Sequence, residues 1–305
     1  MSEQANGLVD PARTRPGYAE LDSQAPRIGE LGPLPAPRLA ATATALAGVR
    51  ADAGMLAGRW VAAASLAGQS HTARGGSAQD SYGFTVVRDG SALVLAVCDG
   101  LGQQADTAQI GAELLARLCV SAAAALSGAD VAERGHAALT EAVVHAVATL
   151  ERLRDTALGL TARELRSTML LCWLPLHPGG GRDVLLLRVG DCEAFTWSES
   201  DGYQAVYPDS DDGPLNIVRH TLPCDDPRPL LEPARWPPPD GGLLILATDG
   251  LAGDLFDSPD VRDWLARRWS RPCGPAWMVD SLRYRRQGSH DDRTALVVWL
   301  EPLPA

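Results

Sequence analysis

Two stretches of the chain share one pattern, a run of apolar residues that ends in aspartate and glycine. Residues 93–102 read LVLAVCDGLG and residues 243–251 read LLILATDGL. Apolar residues at successive positions are typical of short strands that are buried on both faces. Because Asp-Gly favours turns, each strand could simply end at a turn. Alternatively, the two strands carry Asp99 and Asp249 to one place, since a carboxylate at the rim of a core is costly unless a cation meets it.

The rest of the pattern predicts further strands and helices in separate groups. Strand-like runs cover residues 59–68, 82–86, 169–174, 184–189, 193–197 and 294–300. Apolar positions at helical spacing predict helices over 107–126, 131–158, 261–269 and 276–286, and the alanine-rich residues 37–56 predict a short additional helix. Strands grouped on either side of a helical pair indicate an α+β sandwich rather than a doubly wound sheet.

Local composition predicts where the folded domain begins. Residues 1–50 are rich in proline and alanine and carry few large apolar side chains, so we expect a partly disordered tail or linker there. We expect residues 51–305 to form the folded domain. Within it, residues 201–239 contain many prolines and aspartates without a sustained period, which predicts a flap-like loop.

Overall composition narrows the class of protein. A chain of 305 residues that is 46% hydrophobic can bury a large core. Its net charge of -11 argues against nucleic-acid and anionic-membrane partners and favours cations. The six cysteines form no CxxC pair, and we find no apolar signal core or membrane-length apolar run, so we expect a cytoplasmic protein.

Further aspartates occupy strand ends comparable to those of Asp99 and Asp249. Asp80 precedes an alternating strand, Asp191 follows an apolar one, and Asp291 lies just before the last strand. Carboxylate oxygens without a matching Cys or His cluster are the ligands that Mg²⁺ and Mn²⁺ prefer. Two such ions a few ångströms apart can activate a water for attack on phosphorus.

The ordered set of motifs is similar to that of a known family. GQSH and SAQD are followed by LAVCDGLGQ, STMLL, LLRVGDCEAF, LLILATDGLAGDL and HDDRTALVVWL. This set, over residues 59–301, resembles the metal-dependent serine/threonine protein phosphatases of the PP2C type (PPM family), and within them the bacterial branch. The resemblance implies an α-β-β-α sandwich of two antiparallel sheets flanked by helices.

The resemblance also implies a role for each strand-end acid. Asp99 resembles the aspartate that bridges two metal ions, and Gly100 the glycine whose carbonyl binds one of them. Asp249 and Asp291 resemble ligands of the other ion. Asp191 resembles a ligand of a weaker third ion, and Asp80 is similar to an aspartate that acts mainly through coordinated water. The implied cofactor is Mn²⁺ or Mg²⁺.

Three positions near these motifs depart from the family pattern. Gln79 stands where many relatives carry glutamate, and Leu101 where animal relatives carry a histidine thought to protonate the leaving group. Arg74 is one residue further from Asp80 than the usual phosphate-binding arginine, and His71 could share or replace its role. The alternatives are that Arg74 is a surface charge and that His71 only stabilises a turn.

The resemblance implies hydrolysis of phosphoserine and phosphothreonine in proteins by a metal-bridging water, without a phosphoenzyme intermediate. It also implies a cognate serine/threonine kinase among the partners. Two alternatives share the same site: a catalytically silent scaffold that binds phosphopeptides, which Gln79 and Leu101 would suit, and a hydrolase of small phosphoesters.

Overall fold

The computed structural model describes residues 25–30, 48–102, 105–176, 183–207, 220–237 and 241–301, without the side chains of residues 105 and 106. The strands are β1 Arg27–Ile28, β2 Val49–Leu56, β3 Arg59–Leu66, β4 Ser81–Val86, β5 Ala92–Cys98, β6 Met169–Pro175, β7 Val184–Val189, β8 Glu193–Ser198, β9 Gly202–Ala205, β10 Glu232–Trp236, β11 Leu243–Ala247, β12 Arg285–Arg286 and β13 Arg293–Trp299. The α-helices are α1 Gln69–Thr72, α2 Ala105–Ala124, α3 Gly128–Arg134, α4 His136–Leu153, α5 Asp249–Asp257, α6 Pro259–Arg268 and α7 Pro275–Ser281.

Two antiparallel sheets form the centre of the molecule. The five-stranded sheet has the order β10-β7-β6-β5-β4, and the six-stranded sheet has the order β2-β3-β13-β11-β8-β9. A short parallel pair joins β1 to β12. Strand β4 is therefore an edge of the first sheet, and β2 is an edge of the second.

Three apolar layers hold the sheets and helices together. Helices α2 and α4 pack on the outer face of the five-stranded sheet, the two sheets pack face to face, and α5, α6 and α7 pack on the outer face of the six-stranded sheet. This arrangement confirms the predicted α-β-β-α sandwich.

Strand β5 shows why its sequence is apolar at every position. Val94 and Ala96 face the helices, while Leu93, Leu95 and Val97 face the other sheet. Since both faces are covered, there is no position at which a polar side chain would meet water. Each fully buried Leu or Val side chain stabilises the fold by roughly 1.5–3 kcal/mol.

The predicted helices differ from the structure in three places. Residues 49–56 form β2, because backbone pairing with β3 overrides the helical preference of their alanines; residues 37–47 lie outside the described residues. The predicted helix over 131–158 is broken at Gly135, which has a φ of 55°. The predicted helix over 276–286 ends at Ser281, and residues 285–286 form β12.

The region predicted as a flap-like loop contributes strands at both of its ends. Strand β9 pairs with β8, and β10 pairs with β7. Residues 208–219 and 238–240 lie outside the described residues. The predicted domain boundary at residue 50 stays a prediction, although β1 and the first residues of β2 lie before it.

Within the described segments, no single helix is long and apolar enough to span a membrane. One pair, 107–124 with 128–134, meets the length and composition requirement only when taken together across a 92° bend.

Two helical glycines give a matched test of the packing. A methyl group at Gly111 on α2 would lie 2.5 Å from the Leu165 carbonyl oxygen, whereas one at Gly253 on α5 would meet no described atom within 4 Å. We expect Gly111→Ala to lower the free energy of unfolding by about 1–3 kcal/mol through overpacking. Gly253→Ala should raise it by up to about 1 kcal/mol through helix propensity. Urea denaturation measures both, and equal effects of the two substitutions would contradict the close packing of α2.

Candidate metal centre

Strand register brings the predicted aspartates to one end of the sandwich. In the β4–β5 pair, Ser81 lies opposite Cys98, so Asp80 and Asp99 adjoin the same end of that hairpin. In the six-stranded sheet, Ala247 of β11 lies opposite Ala295 of β13, so Asp249 and Asp291 extend from the corresponding end. Asp191 lies in the turn between β7 and β8, whose first residue Glu193 is opposite Ala247.

The backbone around Asp99 is fixed from two sides. The Asp99 carbonyl accepts hydrogen bonds from the Ser167 hydroxyl at 2.7 Å and from the Thr168 amide at 2.8 Å. A methyl group at Gly100 would collide with the carbonyl oxygens of Gln79 and Ala108. Glycine is therefore required after Asp99 by close backbone approach, and no turn at positive φ is involved.

The second Asp-Gly motif begins a helix that the sequence reasoning missed. Asp249 is the first residue of α5, whose apolar positions Leu251, Ala252 and Leu255 are buried. A methyl group at Gly250 would collide with the carbonyl oxygen of Asp292. Glycine is therefore required in both motifs for the same reason: it lets another backbone segment pass close to the aspartate.

Asp80 is buried and has Asp292 and Asp249 as charged neighbours. Its carboxylate accepts a hydrogen bond from the Thr248 hydroxyl at 2.7 Å, which links β11 to the start of β4. Burial, and secondarily the charge of Asp292, raises the pKa of Asp80 well above its usual range.

The acids repel one another. Burial, followed by the charges of Asp80, Asp249 and Asp191, raises the pKa of Asp99 well above its usual range. Burial, followed by the charges of Asp191 and Asp291, raises the pKa of Asp249 to about 7. Strand register places these side chains at one end of the sandwich, and the upward direction of the pKa shifts agrees with a site that favours positive charge.

The donor set fits divalent cations. Burial raises the pKa of Asp191, and its Oδ1 atom is buried without a hydrogen-bond partner among the described residues. An unpartnered carboxylate oxygen beside several others is what a hard cation accepts as a ligand. The site can therefore hold Mg²⁺ or Mn²⁺, and assignment of the individual ligands stays a prediction.

Asp292, the neighbour of the predicted metal ligand Asp291, forms hydrogen bonds that organise the site. The Asp292 carboxylate is buried and accepts hydrogen bonds from the amides of Gly68 and Gln79 and bonds Nδ1 of His71 at 2.8 Å. Asp291 itself is exposed, and its Oδ1 accepts from the Asp292 amide. The polar atoms of His71, Asp291 and Asp292 lie within 4.8 Å of one another.

The structure also places the residues that depart from the family pattern. The Gln79 side chain turns to the Gly102 carbonyl at 3.3 Å, and the Leu101 amide donates to the Arg166 carbonyl. Arg74 is exposed, and its guanidinium donates to the Ser70 carbonyl. His71 therefore joins the acidic residues, whereas Arg74 lies at the surface beside them.

A second buried acid fixes the loop that carries Asp291 and Asp292. Asp254 of α5 accepts hydrogen bonds from Tyr284, Arg286, Ser289 and Arg293. These partners lie on both sides of the loop, so the network ties it to α5. The sequence contains one indication of this network, which is the close spacing of three of its charged or polar members, Arg286, Ser289 and Arg293.

Comparison with known proteins identifies the family. The model of the family "Protein phosphatase 2C" matches residues 67–283, and the chain belongs to that family. No curated protein matches the chain.

Two similar solved structures, both from Toxoplasma gondii, share the fold. A phosphatase from a pathogenic strain of Toxoplasma gondii is 14% identical, with a TM-score of 0.54 over 84% of this chain and 97% of that chain. Serine-threonine phosphatase 2C from Toxoplasma gondii is 15% identical, with a TM-score of 0.52 over 84% and 100%. RsbX in complex with magnesium is 17% identical, with a TM-score of 0.46 over 83% and 100%.

Because the clustered carboxylates repel one another, replacing one of them by a neutral residue should stabilise the fold, whereas most substitutions of buried residues destabilise it. In EDTA and at a pH well above 7, where Asp249 is ionised, we expect Asp249→Asn to raise the melting temperature by at least about 2 °C, because it removes one charge from the crowded site. Addition of Mn²⁺ should raise the melting temperature of the wild type more than that of the variant. Calorimetry measures both. Asp263→Asn, at an exposed site on α6, is the matched control, and a destabilised Asp249→Asn in EDTA would contradict the repulsion.

Proposed function

We propose that the protein is a metal-dependent phosphatase that hydrolyses phosphoserine and phosphothreonine in proteins. The observation that carries the proposal is the group of strand-end carboxylates, Asp80, Asp99, Asp191, Asp249 and Asp291, at one end of a protein phosphatase 2C fold. Membership in the protein phosphatase 2C family supports a phosphatase, and the carboxylate cluster supports its dependence on metal ions.

Bound divalent cations would lower the pKa of a water and offset the charge of the phosphoryl group. The side chains and carbonyl groups of the protein would hold these cations in place. Asp99, Asp249 and Asp291 would hold the cations together with the Gly100 carbonyl, Asp191 would hold a weaker third, and Asp80 would accept hydrogen bonds from coordinated water. Because the carboxylates are fixed before substrate arrives, little reorganisation is needed during the reaction.

His71 is the residue we assign to the phosphate. Its Nδ1 is engaged by Asp292 at 2.8 Å, and that hydrogen bond raises the pKa of the imidazole. The other ring nitrogen, Nε2, makes no hydrogen bond to a described residue, so it can donate to a phosphate oxygen or to the departing hydroxyl oxygen. This role would compensate for Leu101 and for the distance of Arg74.

The substrates we propose are phosphoproteins, among them a cognate serine/threonine kinase. A phosphorylated residue must reach the end of the sandwich where β5 and β11 finish. Family membership supports phosphoprotein substrates in general, and the kinase is an inference from the usual opposition of phosphatase and kinase.

Turnover tests the assignment. We expect hydrolysis of a phosphothreonine peptide with Mn²⁺ or Mg²⁺ and none with EDTA. Asp99→Asn and Asp249→Asn should each lower kcat/KM at least about 100-fold, because each removes a charged ligand. Asp263→Asn should leave kcat/KM unchanged. A higher kcat/KM for free phosphothreonine than for any phosphothreonine peptide, which has the same leaving group, would favour the small-phosphoester hydrolase. Metal or phosphopeptide binding without turnover would favour the silent scaffold.

Two substitutions at His71 separate its contact with Asp292 from its proposed contact with phosphate. Asn can replace the Nδ1 donor that contacts Asp292, and Gln can place an amide group near the position of Nε2. If the Asp292 contact alone matters, His71→Asn should retain activity. We expect instead that His71→Asn keeps the wild-type melting temperature and raises KM for the phosphopeptide, and that His71→Gln restores part of the loss. Steady-state kinetics of both variants, with melting curves, decide between these roles.

A further inference from the structure

A groove lies along the open edge of β4, and its lining includes none of the clustered carboxylates. Its volume is about 510 Å³, and its walls are β4 from Tyr82 onward, the second half of α2, and β2. Phe84 and Val86 form part of its floor and pack against the layer between the sheets. Its position is set by topology, since β4 is the last strand of its sheet.

The backbone of β4 offers unpaired hydrogen-bonding groups to this groove. The Val87 amide donates to the Ala92 carbonyl of the facing strand, and antiparallel pairing alternates, so the amides and carbonyls of Tyr82, Phe84 and Val86 point away from β5. Arg50 Nη2 donates to the Tyr82 carbonyl at 2.9 Å, which agrees with that direction. Phe84 and Val86 have no backbone partner among the described residues, so this edge can accept another strand.

The groove is positively charged in an acidic protein. It is lined by Arg50, Arg88 and Arg117 against a single acid, Asp52, although the chain as a whole carries a net charge of -11. Arg50 and Arg117 both pair with Glu113. Arg88 is exposed, and its side chain has no partner among the described residues. Part of this positive charge is therefore available to a ligand.

We propose that the groove is a docking site for an extended, acidic segment of a partner protein, which adds a strand to β4 and places carboxylates beside Arg88 and Arg117. Backbone pairing supplies affinity, and the arginines select for negative charge. A polypeptide fits better than a nucleic acid because the open edge alternates donors and acceptors at the spacing of a strand, whereas phosphodiester groups accept hydrogen bonds but donate none to the carbonyls.

The groove begins where the carboxylate cluster ends. Asp80 directly precedes β4, and Arg88 lies two residues beyond its last residue Val86. At a rise of about 3.4 Å per residue, Arg88 lies roughly 27 Å along the chain from Asp80. A segment paired with β4 would thus run toward the cluster, although docking itself requires neither metal nor turnover.

Direct binding of an unphosphorylated peptide tests the proposal without reference to catalysis. The probe is a labelled ten-residue peptide that alternates Glu with Val or Thr, measured by fluorescence anisotropy with the full chain in EDTA. We expect saturable binding that weakens with salt, and no binding of the counterpart with Lys in place of Glu. The double variant Arg88→Glu, Arg117→Glu should bind at least about tenfold more weakly. Arg267→Glu, at an exposed site on α6, makes the same charge change elsewhere and should bind like the wild type.

Backbone methylation tests strand addition separately from charge. Two peptides carry methyl groups on alternate backbone nitrogens, one on the odd and one on the even positions. Only one set of nitrogens faces β4 in a paired strand, so we expect one peptide to lose at least about tenfold in affinity and the other to bind nearly as the parent does.

The following results would overturn the proposal: no binding of the acidic peptide, equal binding of the Lys peptide, equal binding by the double arginine variant, or equal effects of the two methylated peptides. Displacement of the acidic peptide by a single-stranded oligonucleotide, with the same dependence on Arg88 and Arg117, would also overturn it, because the groove would then be a general anion site. Failure of the phosphatase assay would leave these binding results unaffected.

Discussion

Repulsion among carboxylates at one end of the sandwich is the constraint that the rest of the structure must satisfy. The pKa values of Asp80, Asp99 and Asp249 are all raised, chiefly by burial and then by neighbouring acids. The folded chain holds these groups together because two sheets with three apolar layers stabilise it elsewhere. A shift of one residue in the pairing register of β5 or β11 would turn every side chain of that strand to the opposite face. The apolar core that offsets the repulsion therefore also fixes the positions of the acids at the strand ends.

Close backbone approach and two buried acids turn these positions into a rigid site. Gly68, Gly100 and Gly250 each lie where a methyl group would overlap a neighbouring carbonyl. Asp292 ties its own loop to the segment containing Gly68, and Asp254 ties the other side of that loop to α5. The loop with Asp291 is therefore held from both sides by residues that the phosphate need not touch, which is what preorganisation of a charged site requires.

The sequence predicted the parts of this structure that depend on local pattern. The strands around Asp99 and Asp249 follow from their apolar runs, and the α-β-β-α arrangement followed from the resemblance and was confirmed. It did not predict β2, whose alanines favour a helix until β3 is beside them, or the break at Gly135. Nor did it predict the role of Asp292, since two adjacent aspartates are equivalent in sequence and differ only in that one is buried by contacts more than 200 residues away. Long-range contacts of this kind leave no periodic signal.

Strand β4 joins the carboxylate cluster to the proposed docking groove, and an open strand edge is prone to aggregation. An open strand edge invites pairing with a second copy of the same strand. Arg88, just beyond the end of β4, would then meet the arginines of that copy, and like charges would oppose the pairing. The same arginines attract an acidic strand. Positive charge along this edge therefore opposes pairing of two β4 strands and favours a partner of opposite charge, so protection of the edge and selectivity of the proposed docking site have one electrostatic cause.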